Sequence, residues 1–263
     1  MGELKFEVAF MPKDIKANTS QICVLVDVLR ATTAMVTMLD KGCSEIMLTD
    51  DETRARESLS KSEADQTLVC AEDSYGNVSK HAHFSPSLIS INETDVKGKR
   101  VLLKTTNGTL AGIKLWNSGI QQVLVGSLRN AEAVMDKAVK MAAELDSSVT
   151  IVCAGRENGQ IAALDDTYTA GVLLEYGKKA AESINLVPNL KDSAKISKHL
   201  LTTYPNTIAA FEDSGSGETM RNIKCQEDIN LCAAQNSSTL APLLSFTVEG
   251  NLVVKNINEV IVK

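Results

Sequence analysis

Apolar runs alternate along the chain with segments of helical periodicity, and polar loops separate the two. The clearest run is Val149–Val152, whose β-branched residues predict a buried strand. A second run, Ile22–Leu29, is almost continuously apolar, as is typical of a strand covered on both faces of a sheet. Strands and helices that alternate in this way predict an α/β fold.

The same patterns predict most of the individual elements. The expected strands are 4–10, Ile22–Leu29, Glu45–Thr49, Thr67–Ala71, Arg100–Lys104, Val123–Val125, Val149–Val152, Ile208–Glu212, Leu243–Val248 and Leu252–Asn256. The expected helices are Thr32–Leu39, Asp50–Ser60, Leu110–Asn117, Ala131–Leu145, 166–183, Asp192–Leu201 and Lys224–Ala234. Residues 249–251 are expected to form a hairpin turn, and 72–87 a long loop of the kind that often carries function.

No segment of low complexity divides the chain, so we treat 1–263 as a single unit. If the chain has two α/β lobes, we expect them to be 1–147 and 148–263, because a polar segment lies between them. The polar loops at 30–33 and 105–109 each follow a strand and precede a helix. We expect both to open at the same edge of a sheet.

The acidic balance of the chain limits its partners. The chain has 27 Lys and Arg and 33 Asp and Glu, which gives a formal net charge of −6. We therefore expect neither nucleic acid nor a membrane as a partner. No signal peptide or spanning segment is visible, and the six cysteines include no C-x-x-C pair, which favours a cytoplasmic protein with reduced thiols. The sequence leaves open whether the chain forms a homo-oligomer.

Two adjacent carboxylates, Asp165 and Asp166, stand between the strand at Val149–Val152 and the next helix. In an open α/β sheet this position binds the ligand, and paired carboxylates there favour a hard cation such as Mg²⁺. The alternative is that Asp166 caps the helix while Asp165 faces water. Asp27 interrupts a buried apolar run and is therefore expected at the end of its strand, beside a partner or a metal. Glu72, which also follows a strand, is a further candidate ligand, although a solvated glutamate is equally compatible with the pattern.

Small and hydroxylated residues mark three loops that are suited to bind an anion through hydroxyl and backbone N–H groups. Two basic residues, Arg30 and Arg156, are placed to bind an oxyanion, unless each pairs with a neighbouring carboxylate. Helix capping and flexible turns are the alternatives for the loops. The candidate anion-binding residues in the three loops are Thr105, Thr106, Asn107, Gly108, Ser127, Asn130, Ser214 and Ser216.

These loops carry a resemblance to a known family. The segments that carry it, in order, are DVLRATT at 27–33, TTNGT at 105–109, GSLRN at 126–130, CAGR at 153–156, ALDD at 163–166, SGS at 214–216 and DI at 228–229. Each segment alone is weak, but the ordered set resembles the 2-phosphosulfolactate phosphatase family (ComB-like) from about 22 to 250.

The resemblance implies a Mg²⁺-dependent acid phosphatase that converts the small anionic organic phosphate (2R)-2-phospho-3-sulfolactate to 3-sulfolactate, a step towards coenzyme M. It implies an α/β fold of its own type, which we expect to be layered α/β/α. Asp27, Arg30, Asp165 and Asp166 would be catalytic, and Asp27, Glu72, Asp165 and Asp166 would supply metal ligands.

Two segments depart from the family pattern, Ala71–Asp73 and His83–Pro86. They leave two alternatives open: a phosphatase for another small phospho-hydroxy acid, and an anion-binding protein that kept the scaffold without the chemistry.

Overall fold

A computed structural model describes residues 2–15, 21–247 and 251–256 of the chain. Its strands are β1 (Glu3–Ala9), β2 (Gln21–Val26), β3 (Glu45–Leu48), β4 (Thr67–Ala71), β5 (Arg100–Lys104), β6 (Val123–Gly126), β7 (Ser148–Cys153), β8 (Val187–Leu190), β9 (Pro242–Phe246) and β10 (Leu252–Asn256). Its helices are α1 (Ala31–Asp40), α2 (Glu52–Glu57), α3 (Lys61–Asp65), α4 (Leu88–Glu93), α5 (Gly108–Asn117), α6 (Ala131–Glu144), α7 (Leu164–Ser183), α8 (Asp192–Thr203), α9 (Thr207–Asp213), α10 (Gly215–Asn222) and α11 (Glu227–Cys232).

Within the described residues the strands form one sheet of ten, in the order β4-β5-β3-β10-β9-β6-β2-β7-β1-β8. On each side of the β9–β10 hairpin, neighbouring strands are parallel to one another. For example, β2 pairs in parallel with both β6 and β7. The hairpin lies between β3 and β6 and is antiparallel to both. This arrangement confirms the α/β class.

The sheet has a hydrophobic core on each face, and β2 shows why its sequence is apolar throughout. Ile22, Val24 and Val26 belong to the core packed under α6 and α7. Cys23 and Leu25, which alternate with them, belong to the core on the opposite face with α1 and α5. Since successive side chains of a strand point to opposite faces, a strand covered on both sides must be apolar at every position. The layered α/β/α arrangement is therefore confirmed.

Several element predictions were wrong. The segment Ile208–Glu212 lies in helix α9 and not in a strand, and the 214–217 loop is the start of α10. The helix expected over Asp50–Ser60 is the shorter α2, and α3, α4 and β8 were not predicted. The strands at either side of the expected hairpin turn pair antiparallel, whereas 248–250 lie outside the described residues.

The division into lobes 1–147 and 148–263 stays a prediction. The hydrogen bonds of the sheet cross this boundary, because β7 lies between β1 and β2 and β9 contacts β6. In the described part of the chain, no helix combines the length and the apolar character that a membrane span requires.

The turn from β6 to α6 is held by one buried side chain. The Asn130 Oδ1 accepts the N–H of Ser127 at 2.9 Å and its hydroxyl at 3.1 Å. The Asn130 Nδ2 donates to the carbonyl oxygens of Val125 and Leu240, each at 3.0 Å. Ser127 and Asn130 are both fully buried, and their polar atoms serve this turn.

We expect Asn130→Ala to lower the free energy of unfolding by about 2–4 kcal/mol, because it leaves buried backbone groups without partners. Denaturant unfolding measures the change. Asn117→Ala, at the exposed end of α5, is the matched control and should change stability by less than about 0.5 kcal/mol. Equal effects of the two substitutions would contradict the structural role of Asn130.

Candidate active site

Three buried aspartates lie where the loops after β2 and β7 meet. Asp27 directly follows β2, and Asp165 and Asp166 lie in the first turn of α7. Asp166 joins the two loops, because its Oδ1 accepts the N–H of Val28 at 2.9 Å and its Oδ2 that of Gly155 at 3.2 Å. The alternative in which Asp166 caps the helix and Asp165 faces water is therefore wrong.

The aspartates hold their protons more tightly than isolated carboxyl groups do. Burial raises the pKa of Asp27 to about 7, and the negative charges of Glu72 and Asp165 add to the shift. Burial also raises the pKa of Asp166 well above its usual range, again with help from the neighbouring aspartates. Like charges in a water-poor site disfavour the ionised form, so this cluster lacks positive charge.

Asp165 is a further carboxyl group with a raised pKa, and one of its oxygens has no hydrogen-bond partner among the described residues. Burial raises the pKa of Asp165 to about 6, although Ser216, Ser214 and Arg156 lie close enough to oppose the shift. The residue is 1% exposed, and its Oδ1 has no hydrogen-bond partner within the described residues. Because buried polar atoms are nearly always partnered, this oxygen is open to a water, an ion or another ligand.

Arg30 is not free to bind a substrate. Its Nη1 donates to Asp228 at 3.0 Å, and its Nη2 donates to Glu72 at 3.3 Å and to the carbonyl of Gly76 at 2.8 Å. Burial by itself lowers the pKa of Arg30, but Glu72 and Asp228 outweigh it and raise the value. The alternative that Arg30 pairs with neighbouring carboxylates is thus the arrangement in the structure.

Asp228 is the main residue of this network that sequence reasoning did not select. Besides accepting from Arg30, its Oδ1 accepts the N–H of Leu88 at 2.9 Å and the hydroxyl of Ser87 at 3.1 Å, at the start of α4. The available signal was an acidic residue beside the apolar Ile229 in a short helix. Its partners lie about 140 and 200 positions away in sequence, beyond the reach of any local pattern.

The loop at 105–109 joins the site through its backbone. The Thr105 Oγ1 accepts the N–H of Thr109 at 3.0 Å, so this hydroxyl caps the first turn of α5. Gly108 lies against the loop after β2: a Cβ there would lie 2.8 Å from Asp27 Oδ2 and 2.6 Å from the Ala31 Cβ. The loops after β2 and β5 therefore meet, as expected, although four other strands separate β2 from β5 in the sheet.

A cleft of about 420 Å³ includes Arg156 and Ser216, which neighbour Asp165, but none of the three aspartates is among its described lining residues. Of the predicted residues, it brings together Glu72, Thr106, Asn107, Arg156 and Ser216. The lining residues that were not predicted are Leu29, Ser74, Tyr75, Gly76, Glu157, Asn158, Thr219 and Met220. Among these described lining residues, Arg156 is the only cation.

Several predicted anion-binding residues do not line this cleft. Ser127 and Asn130 are bonded to each other in the β6–α6 turn, and Thr105 caps α5. Ser214 is the N-cap of α10, where its hydroxyl accepts the N–H of Gly217 at 2.9 Å and donates to the carbonyl of Phe211 at 2.8 Å. For these four residues the capping and turn alternatives describe what the side chains do.

Known proteins with similar sequences identify the family of this chain. A family model described as 2-phosphosulpholactate phosphatase matches residues 9–246. The chain belongs to the 2-phosphosulfolactate phosphatase family. It is 30% identical over 223 residues to a probable 2-phosphosulfolactate phosphatase of Deinococcus radiodurans, covering 85% of this chain and 87% of that protein. It is also 30% identical over 236 residues to one of Thermus thermophilus, covering 89% and 92%.

Membership of the 2-phosphosulfolactate phosphatase family makes the chain a phosphoric monoester hydrolase and confirms the resemblance seen in the ordered loops. The segments that carried the resemblance include the three aspartates, Arg156 and the start of α10, all of which the fold brings to one place. In this phosphatase the family segment at 126–130 builds the turn from β6 to α6, and Arg30 binds Glu72 and Gly76 of the cleft lining.

Two of the four predicted metal ligands, Asp165 and Asp27, have features that fit a magnesium ion. Asp165 Oδ1 is buried without a partner, and Asp27 lies beside it with a strongly raised pKa. No group of three or more His, Cys, Asp or Glu side chains among the described residues has the geometry to hold a metal. Mg²⁺ is usually bound by only one or two protein carboxylates and keeps several waters, and Asp165 with Asp27 would supply that number. Glu72 is hydrogen-bonded to Arg30 and to the N–H of Thr106.

We expect Arg30→Met to lower the free energy of unfolding by about 3–5 kcal/mol, because it leaves the Asp228 and Glu72 carboxylates buried without their cation. Thermal or denaturant unfolding measures the loss. Arg54→Met removes an exposed ion pair with Asp50 and should cost less than about 1 kcal/mol. A small effect at Arg30, similar to that at Arg54, would show that Arg30 is not a structural residue.

We also expect the metal-free protein to lose stability as the pH rises from about 5 to about 7.5. A carboxyl group with a raised pKa in the folded state stabilises the fold below its unfolded pKa near 3.8, and this contribution is lost as the pH rises through the folded values of about 6 for Asp165 and about 7 for Asp27. Calorimetric melting with a chelator present measures the slope.

Asp27→Asn is the matched variant for this pH experiment, because it removes one titrating group and reduces the mutual repulsion. Its melting temperature should fall less over the same pH interval than that of the wild type. Parallel pH profiles for the two proteins would contradict the raised pKa of Asp27.

Proposed function

We propose that this protein is a Mg²⁺-dependent phosphatase that hydrolyses 2-phosphosulfolactate to 3-sulfolactate and phosphate. The observation that carries the proposal is the buried cluster of Asp27, Asp165 and Asp166, which neighbours Arg156 and Ser216 of the polar cleft. The names of the relatives in Deinococcus radiodurans and Thermus thermophilus support the choice of substrate.

Electrostatics supports a role for the metal. The substrate carries a phosphate, a carboxylate and a sulfonate, whereas the described cleft lining offers one cation, Arg156, and two acids, Glu72 and Glu157. Bringing such an anion next to buried carboxylates is unfavourable unless further positive charge is present. Asp165 and Asp27 would hold a magnesium ion, which when bound neutralises charge on the phosphoryl oxygens and polarises them.

The other residues of the site bind the substrate or hold the loops around it in place. The Arg156 guanidinium faces the cleft beside Ser216 and can donate to anionic oxygens. The amide of Asn107 joins the loop after β5 to the loop that carries Arg156, because its Oδ1 accepts the N–H of Asn158 at 3.0 Å. Asp166 holds the loops after β2 and β7 together through its two backbone hydrogen bonds, so the groups carried by these loops stay in register. Loops that are fixed in this way hold the binding groups in place, which contributes to catalysis by positioning.

A second candidate is a phosphatase for a small phospho-hydroxy acid that lacks the sulfonate. The observation that favours it is that Arg30, expected to bind an anion, is bonded to Asp228, Glu72 and Gly76 instead. One unpaired cation at the cleft suits a substrate with fewer anionic groups. A panel of phosphate esters with and without a sulfonate, compared by kcat/KM, distinguishes the two candidates.

The first experiment is phosphate release from racemic 2-phosphosulfolactate, with Mg²⁺ and with a chelator. We expect release only with the metal, and we expect Asp165→Asn to lower kcat by about a hundredfold or more. Asp192→Asn, at a side chain that is 96% exposed on α8, is the control and should retain activity.

The outcomes separate the proposals. Metal-dependent release that is lost in Asp165→Asn and kept in Asp192→Asn supports the proposed enzyme. Release that persists in the chelator would refute the magnesium dependence. A folded protein that releases phosphate from none of the esters would refute the proposed activity and favour anion binding without turnover.

A further inference from the structure

The Arg156 guanidinium lies directly against the first residue of α10. A Cβ built on Gly215 would collide with Arg156 Nη1 and would lie 2.5 Å from Cζ and 3.2 Å from Nε. Real Cβ atoms do not approach other atoms this closely, so any side chain at 215 would displace the guanidinium from its present place. The guanidinium therefore packs on the bare backbone at the start of α10.

The backbone itself does not require glycine at this position. Gly215 is the first residue of an eight-residue helix, and its φ is outside the left-handed region that favours glycine. Alanine has a higher helix propensity than glycine and would suit this conformation. What excludes a side chain at 215 is the neighbouring arginine, which belongs to a different loop.

Arg156 has the features of a ligand-binding cation. It follows the turn after β7, lines the cleft with Ser216, and makes no ion pair within the described residues. Arg100 and Arg129, which are half-buried as Arg156 is, are paired with carboxylates. An arginine held in place without a protein partner is available to an anion.

We propose that Gly215 is a positioning residue for substrate binding: the absence of its side chain lets Arg156 lie along the start of α10 and present its guanidinium to an anionic group of the substrate. This inference rests on the proposed function for the identity of the substrate. It adds a residue that acts only through Arg156 and does not touch the substrate itself.

The proposal predicts that Gly215→Ala weakens substrate binding without lowering the stability of the protein. In Gly215→Ala the new methyl group meets the far end of a flexible side chain and not the backbone, so the fold can accept it while Arg156 moves away. We expect KM for 2-phosphosulfolactate to rise by about tenfold to a hundredfold, the range typical of one lost charge-assisted interaction. The melting temperature should be unchanged or higher, because alanine favours the helix.

A double-mutant cycle tests whether the effect runs through Arg156. We expect Arg156→Ala alone to raise KM, and the double variant Gly215→Ala/Arg156→Ala to be no worse than Arg156→Ala. Losses that simply add would overturn the proposal, because they would mean that Gly215 acts independently. A wild-type KM in Gly215→Ala would overturn it as well.

Gly177→Ala is the matched control. Gly177 lies inside α7, and a Cβ there would lie 2.6 Å from Met135 Cε and 2.9 Å from Phe6 Cε1, again at the ends of side chains. These neighbours belong to the hydrophobic core and not to the cleft. This variant should lose stability and keep the wild-type KM, the reverse of the pattern expected for Gly215→Ala.

Binding measurements distinguish failure of this inference from failure of the proposed function. Calorimetric titration of wild type and Gly215→Ala with inorganic phosphate and, separately, with 3-sulfolactate needs no turnover. Weaker binding of either ligand by Gly215→Ala supports the inference even if no hydrolysis is found, and it shows which group Arg156 holds. Equal binding by both proteins, or no binding by the wild type, overturns it.

Discussion

Three carboxyl groups buried side by side repel one another, and the loops around them are shaped to make their burial tolerable. Asp166 accepts two backbone N–H groups, from Val28 and Gly155, that belong to two different strand ends. Asp27 is approached so closely by Gly108 that no side chain fits between them. Backbone donors reduce the cost of burial but do not supply a full positive charge, so the raised pKa values persist.

The two arginines of the site illustrate how the same residue type can serve structure or function. Arg30 is enclosed and has three acceptors on two other segments, so its charge is balanced within the protein. It fixes the loop that carries Gly76 against α11, and with it one wall of the cleft. Arg156 is placed by packing on glycine and keeps its charge available. The site thus separates the cation that stabilises its wall from the cation that faces the ligand.

The fold was largely predictable because its strands are covered on both faces. A charge inside the apolar run of β2 predicted that Asp27 lies at the end of the strand, since a buried unpaired carboxylate inside the strand would cost too much. Residues 208–212 were assigned to the wrong class because a short apolar run does not distinguish strand from helix. The missed signal was Asn206, whose side chain accepts the N–H of Ala209 and so caps α9.

The site was only partly predictable, and the reason is the distance in sequence between its partners. That polar loops converge follows from their places after strands, and this located Asp27, Asp165, Asp166 and Arg156. Whether an arginine is paired depends on residues such as Asp228, which is 198 positions from Arg30. Capping residues such as Thr105 and Ser214 have the same composition as anion-binding loops, because both uses satisfy N–H groups at a helix start.

Stability and function oppose each other at the aspartate cluster. A lysine placed among Asp27, Asp165 and Asp166 would return their pKa values towards the usual range and stabilise the apo fold, but it would also neutralise the oxygens that the proposed magnesium ion requires. The chain instead places its balanced ion pair at Arg30, away from Asp165 Oδ1, which stays without a partner. A protein evolved for stability alone would not keep a buried carboxylate in that state, and this supports the proposed metal as its partner.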